Sequence, residues 1–192
     1  MINAPTVDAP SSISSGARFD TPTIWMHWLT LVLICILFGT AWLSDPETNF
    51  AQAAVLLLVH RSAGVLIWGM TVFRLVWRWS KGHRPALPDD MGHVQRFAAR
   101  ANEVALYALL ALQPLTGLAQ SLFPGKPFAL FFGMVPALVA RDRSLTHFTR
   151  DVHEYGAWAL LALIGVHAVA AMYHHFVKRD HIVKSMLPWR VR

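Results

Sequence analysis

The sequence predicts an all-α fold, an integral membrane four-helix transmembrane bundle, and three observations carry that prediction. Of the 192 residues, 55% are hydrophobic and 15% charged, with a positive mean hydropathy; a soluble domain of this length is usually less apolar and more charged. Four stretches, 24–43, 53–77, 104–123 and 155–177, are apolar over close to the roughly 20 residues that cross about 30 Å of hydrocarbon. Finally, the Lys and Arg residues gather at the edges of these stretches.

Taken in order, residues 1–23 are rich in Ser, Pro and Ala and have no apolar run. They are expected to form a flexible cytoplasmic tail, not a secretory leader, so the first span inserts uncleaved. That span holds the single cysteine, Cys35, expected as a small core residue. One cysteine excludes an internal disulfide, a thiolate cluster and a CxxCH haem attachment. A short loop around SDPETNF leads to the second span, and the turn chemistry of KGHRPALPDD ends near Met91, where a new element begins. After the third span, a loop over 124–150 contains PFALFFGMVPALVA, apolar but broken by Gly133 and Pro136. It is too short to cross and is expected to lie on or dip into the membrane interface. The fourth span closes a transmembrane domain over 24–178, and 179–192 are expected to be a cytoplasmic tail. Trp25, Trp28, Trp42, Trp77 and Trp79, near span ends, read as interface anchors.

Orientation follows from the positive charges. With both termini in the cytoplasm, only Arg61, Lys126, Arg141, Arg143 and Arg150 fall outside, leaving the other 12 of 17 inside, as the positive-inside rule requires. The same bias accounts for the net charge of +6. Because the charges cluster at membrane edges and form no basic face with interleaved aromatics, no nucleic-acid partner is expected.

The informative stretch is HEYGAWALLALIGVH, 153–167, with a histidine at each end of an apolar run. Ionisable groups inside a membrane are costly and mark function. At about 100° per residue, fourteen residues turn roughly 1400°, about 40° short of four turns, so His153 and His167 share a helix face about 21 Å apart along the axis. That spacing fits two planar cofactors, one near each side of the bilayer, and a bis-histidine haem at each level. Matching depths pairs His60 with His153 and His27 with His167. His174 and His175 compete with His167 for the inner position on depth alone, and otherwise sit at the interface. His83, His93, His147 and His181 fall in loops or tails and are expected to ligate nothing.

Other residues agree with this arrangement. Arg74 lies fourteen residues after His60, on the same face at the inner level, where it could hold a haem propionate or a quinone headgroup. Arg61 and Arg150 lie beside the outer pair. Gly64, Gly156 and Gly165 are within a turn of the proposed ligands, where a missing side chain admits either a porphyrin or a neighbouring helix.

The motifs MHWLT, HRSAGVLIWGMTVFRLVWR, LYALLALQPLTGL and VHEYGAWALLALIGVHAVAAMYHHFVKRD, followed by KSMLP, resemble in order and spacing the prokaryotic cytochrome b561 family over about residues 19–189. The resemblance implies two non-covalent b haems in a bacterial inner membrane, ligated at His27, His60, His153 and His167. It thereby favours His167 over His174 and His175. Many relatives have a histidine near the start of span three where this chain has Asn102 and Glu103.

Bis-histidine ligation leaves no open iron position, so no catalytic side chain is assigned. The expected function is electron transfer across the membrane between the quinone pool and a periplasmic redox partner. The resemblance extends to members that oxidise periplasmic superoxide and reduce ubiquinone, an activity that a cationic outer surface would assist. The alternative is a cytochrome b anchor subunit of a larger oxidoreductase, such as a hydrogenase. A histidine-based metal or proton transporter would leave Arg74 and the pairing unexplained.

Overall fold

The computed structural model describes residues 18–45, 47–82 and 91–189. Four helices, α1 (Thr21–Leu43), α2 (Phe50–Ser80), α3 (His93–Leu122) and α4 (Arg143–Tyr173), are each long and apolar enough to cross a membrane. Among them, α1 packs on α2, α2 on α3 and α3 on α4, while α4 makes no comparable backbone approach to α1 or α2. The core along the bundle axis is Leu33, Ala63, Ile67, Leu110 and Leu160. Large apolar side chains such as Val32, Leu66, Leu112 and Val169 point outward, as a surface that meets lipid requires.

Each helix starts where a polar side chain can satisfy its free N–H groups. Asp20 caps α1 through Thr23, with a proline in the first turn; Asn49 caps α2 through the Gln52 N–H at 3.0 Å; Asp142 caps α4 through the Leu145 N–H at 2.9 Å. Inside α3, Pro114 offers no N–H to the preceding turn. Tyr173 passes into a wider π turn over His174–Lys178, and Arg179, at φ 55, ends it in the left-handed region.

At one end of the bundle, both described chain ends meet. The short helix α5 (Ile182–Ser185) and the residues after it fold back as a strap. The Phe19 N–H donates to Ser185 C=O, Arg18 donates to Leu187 C=O, and the Trp28 indole N–H donates to Met186 C=O at 2.8 Å. Asp20 adds a second tie by accepting from the Trp77 indole at 2.7 Å. Its partial burial alone would raise its pKa, but the hydrogen bonds from Thr23 and Trp77 outweigh this and hold the carboxyl below its ordinary value of 3.8. A carboxyl depressed in the folded state adds stability above the unfolded value, and that stability is lost as pH falls through the folded one. Asp20→Ala should therefore destabilise the protein by about 1–2 kcal/mol at neutral pH, through loss of the cap and the Trp77 acceptor. Chemical denaturation of the two proteins should converge as the pH is taken below 3.8.

At the opposite end, an antiparallel hairpin pairs β1 (Phe128–Leu130) with β2 (Gly133–Val135). The Phe131 N–H donates to Ser62 Oγ at 2.8 Å and fixes the hairpin to α2.

Several sequence expectations change here. α3 begins at His93 and α4 at Arg143, about three turns ahead of their apolar windows, because a hydropathy window reports only the lipid-facing part of a helix whose ends stand in water. The expected 124–150 loop is thus a hairpin followed by helix, and His93 and His147 are helical residues. Cys35 is exposed on α1, outside the core; a small apolar side chain is equally stable against lipid. Trp28 and Trp77 are partly buried and hydrogen-bonded within the protein, unlike the exposed Trp25, Trp42 and Trp79. The KGHRPALPDD turn lies largely outside the described residues, as do His83 and residues 1–17 of the N-terminal tail.

Candidate haem site

Two imidazole pairs stand at opposite ends of α4. At the hairpin end, His60 of α2 faces His153 of α4 with ring centroids 6.2 Å apart and planes at 78°. At the strap end, His27 of α1 faces His167 of α4 at 6.1 Å and 61°. α4 contributes to both pairs because its two histidines are close to four turns apart. Neither His174 nor His175 takes part: His174 Nδ1 is bound to Asp180, and the His175 ring meets Phe176 at 4.7 Å. Partial desolvation of Asp180 would raise its pKa, but the bond from His174 brings the carboxyl below its ordinary range.

The hairpin-end rings are held through Nδ1. His60 Nδ1 lies 3.0 Å from Leu37 C=O and 3.2 Å from Thr40 Oγ1. His153 Nδ1 lies 3.1 Å from Gln113 C=O and 3.0 Å from Thr116 Oγ1. A carbonyl only accepts, so Nδ1 carries the proton and Nε2 is the nitrogen with a lone pair. Gly117 makes room for this ring: a Cβ there would lie 3.0 Å from His153 Cε1.

The cations are arranged differently at the two ends. Arg61 Nε donates to Ser121 Oγ at 3.1 Å, and its guanidinium lies 5.3 Å from the Phe128 ring centre, joining α2, α3 and the hairpin. Arg74 is directed inward over Tyr107, 5.3 Å from the ring centre, and its buried Nε has no hydrogen-bond partner. Arg78 pairs with Glu103, while Asn102 Oδ1 beside it is buried without a partner. Arg150 is exposed on α4.

These residues fit a haem at each level. Two imidazoles sharing a metal at bonds of about 2 Å, with about 1 Å from nitrogen to ring centre, need centroids about 6 Å apart, which both pairs provide. A lone-pair Nε2 on the hairpin-end rings suits a ligand. A Cβ built at Gly64 or Gly165 meets nothing within 4 Å, so the backbone is approachable there. Gly156 serves another purpose: a Cβ would lie 2.3 Å from Gln113 Oε1, and the glycine admits that side chain from α3. The Arg74 guanidinium, with its buried Nε lacking a hydrogen-bond partner, is suited to an anionic group such as a propionate.

Sequence reasoning missed Thr40, Gln113, Thr116 and Tyr107. Their common sign is a hydrogen-bonding side chain inside an apolar span at the depth of a histidine or arginine.

A family model described as prokaryotic cytochrome b561 matches residues 18–189. Cytochrome b561 homolog 2 of Escherichia coli (strain K12) is 31% identical over 182 residues, covering 92% of this chain and 95% of the relative. A probable superoxide oxidase CybB of Yersinia pestis is 26% identical over 174 residues, covering 89% and 96%. A probable Ni/Fe-hydrogenase B-type cytochrome subunit of Bradyrhizobium diazoefficiens is 22% identical over 228 residues, covering 95% and 92%. With four membrane helices and a family match over most of its length, the chain belongs to the prokaryotic cytochrome b561 family, the multi-pass membrane cytochromes b.

Proposed function

We propose that this protein carries single electrons across the bacterial inner membrane, with one b haem ligated by His60 and His153 and a second by His27 and His167. The observation that carries the reading is the two facing imidazole couples, each with one member on α4, about 21 Å apart along its axis. Bound haem supplies a one-electron couple at each level. The histidines fix its orientation, the apolar helices exclude water, and Arg74 presents a buried cation to an anionic group at the strap end. Both termini are cytoplasmic in this reading, on the distribution of Lys and Arg, so the hairpin end faces the periplasm.

The periplasmic donor we favour is superoxide, with ubiquinone as acceptor. Two superoxide anions each lose one electron to become dioxygen, and the quinone gains two electrons and two protons to become quinol. Support comes from a depression of about 350 Å³ at the hairpin end, lined by Pro124, Lys126, Arg141, Arg143, Thr146 and His147. Clustered cations raise the local concentration of an anion and speed its encounter. The similarity to a probable superoxide oxidase points the same way.

The test is stopped-flow mixing of the detergent-purified, haem-loaded protein with superoxide, followed by quinol formation. Rapid haem reduction and quinol formation are expected. Arg141→Glu with Arg143→Glu should slow haem reduction about tenfold at low salt, with the difference shrinking as salt rises. Inertness toward superoxide, with electron transfer restored by a co-purifying soluble subunit, would instead establish the anchor-subunit reading that the hydrogenase relative suggests.

A further inference from the structure

The two histidine pairs differ in what lies behind their rings. At the hairpin end, α1 and α3 present the same device: a helix carbonyl and, three residues on, a threonine hydroxyl, both against one Nδ1. Thr40 Oγ1 donates its own proton to Ile36 C=O at 2.7 Å or Leu37 C=O at 3.0 Å, and Thr116 Oγ1 donates to Gln113 C=O at 2.8 Å. With the hydroxyl proton committed to the helix, each threonine oxygen can only accept from the imidazole. Each hairpin-end ring therefore has two acceptors for one N–H.

At the strap end, among the described residues no hydrogen bond reaches His27 or His167. Their surroundings are the edge of Trp28, 5.8 Å from His27 between ring centres, and the field of the buried Arg74 guanidinium, opposed at His167 by the Glu103 carboxylate. A ligand whose N–H is drawn toward acceptors is a stronger donor to its metal and favours the oxidised state. A nearby buried cation disfavours that same state, which carries one more positive charge. Because Arg61 also places a cation near His60, what separates the two ends is the pair of acceptors behind each hairpin-end ring.

We infer that Thr40 and Thr116 are positioning residues that hold the hairpin-end haem at a lower reduction potential than the strap-end haem, so that electrons run downhill from the hairpin end to the strap end. This rests on the ligation proposed above, and it gives that ligation a direction, inward under the orientation proposed. Superoxide or another periplasmic donor then delivers electrons to the level from which they leave most readily.

The test is a spectroelectrochemical titration of the full, haem-loaded chain, with the His60→Ala and His27→Ala proteins identifying the two components. The component missing from His60→Ala should be the lower in potential. Thr40→Val and Thr116→Val, which keep side-chain shape and remove the acceptor, should each raise that component by up to about tenfold in its reduction equilibrium, about 59 mV for one electron. Thr40→Ser should restore it. Thr71→Val, which removes a buried hydroxyl bonded to Ile67 C=O within α2, should move neither component. Electron paramagnetic resonance of the oxidised protein should show the altered ligand field at the hairpin-end centre alone. If the hairpin-end component is the higher, or if both valine variants bind haem in full with unmoved potentials, the inference is overturned. Loss of neither component in the histidine variants would instead overturn the ligation beneath it.

Discussion

Detergent-purified His153→Ala protein is expected to carry about one b haem per chain against the two proposed for the unsubstituted protein, and His60→Ala should lack the same spectral component. The expectation follows from the facing of those two rings at 6.2 Å. A bis-histidine iron that loses one ligand keeps a single axial bond, and a non-covalent haem held that way is released or becomes high-spin. His27→Ala and His167→Ala should affect the other component, since their rings face each other at 6.1 Å. His174→Ala should leave both intact, because its ring is engaged with Asp180. The measurement is extracted haem per chain beside a reduced-minus-oxidised spectrum. If His153→Ala and His167→Ala remove the same component, the assignment by end is wrong.

A second large effect is expected at a residue that binds no cofactor. Gly156→Leu should cost roughly 3 kcal/mol and reduce the hairpin-end haem along with folded yield. Gln113 is buried, and its amide donates to His153 C=O at 2.9 Å while its backbone carbonyl accepts from the His153 ring. Even a single carbon at position 156 would lie 2.3 Å from its side-chain oxygen. The amide must then leave its bond and stay buried, or α3 and α4 must separate where they hold His153. Combining Gly156→Ala with Gln113→Ala should recover much of what Gly156→Ala alone loses, as measured by thermal denaturation followed at the haem absorbance. Purely additive effects of the two changes would argue against this contact.

The fold was largely legible because lipid imposes a strong pattern: four apolar runs of sufficient length had to become helices with all backbone groups satisfied internally. The facing of His27 with His167, and of His60 with His153, was legible too, since fixed rise and rotation convert spacing into depth and direction. What stayed hidden depends on contacts between helices. Nothing in the spacing of Thr40 or Thr116 says which ring it will meet, because that is decided by how α1 and α3 rotate against α2 and α4. Gly156 could be read equally as room for a cofactor or for a neighbour, and only the placement of Gln113 distinguishes the two. The hairpin at 128–135 was missed because each of its strands has three residues, too few for an alternating pattern to emerge.

The strap across the bundle end joins residues far apart in the chain, with Met186 accepting from Trp28 across 158 positions. During synthesis, His27 emerges long before Met186, so that end cannot close until Met186 has left the ribosome. If His27 and His167 hold a haem as proposed, that interval leaves the space between α1 and α4 beside His27 open to a planar porphyrin until the strap latches. Shortening the chain at its C-terminus would leave that entrance without its latch, trading retention of the cofactor for ease of loading.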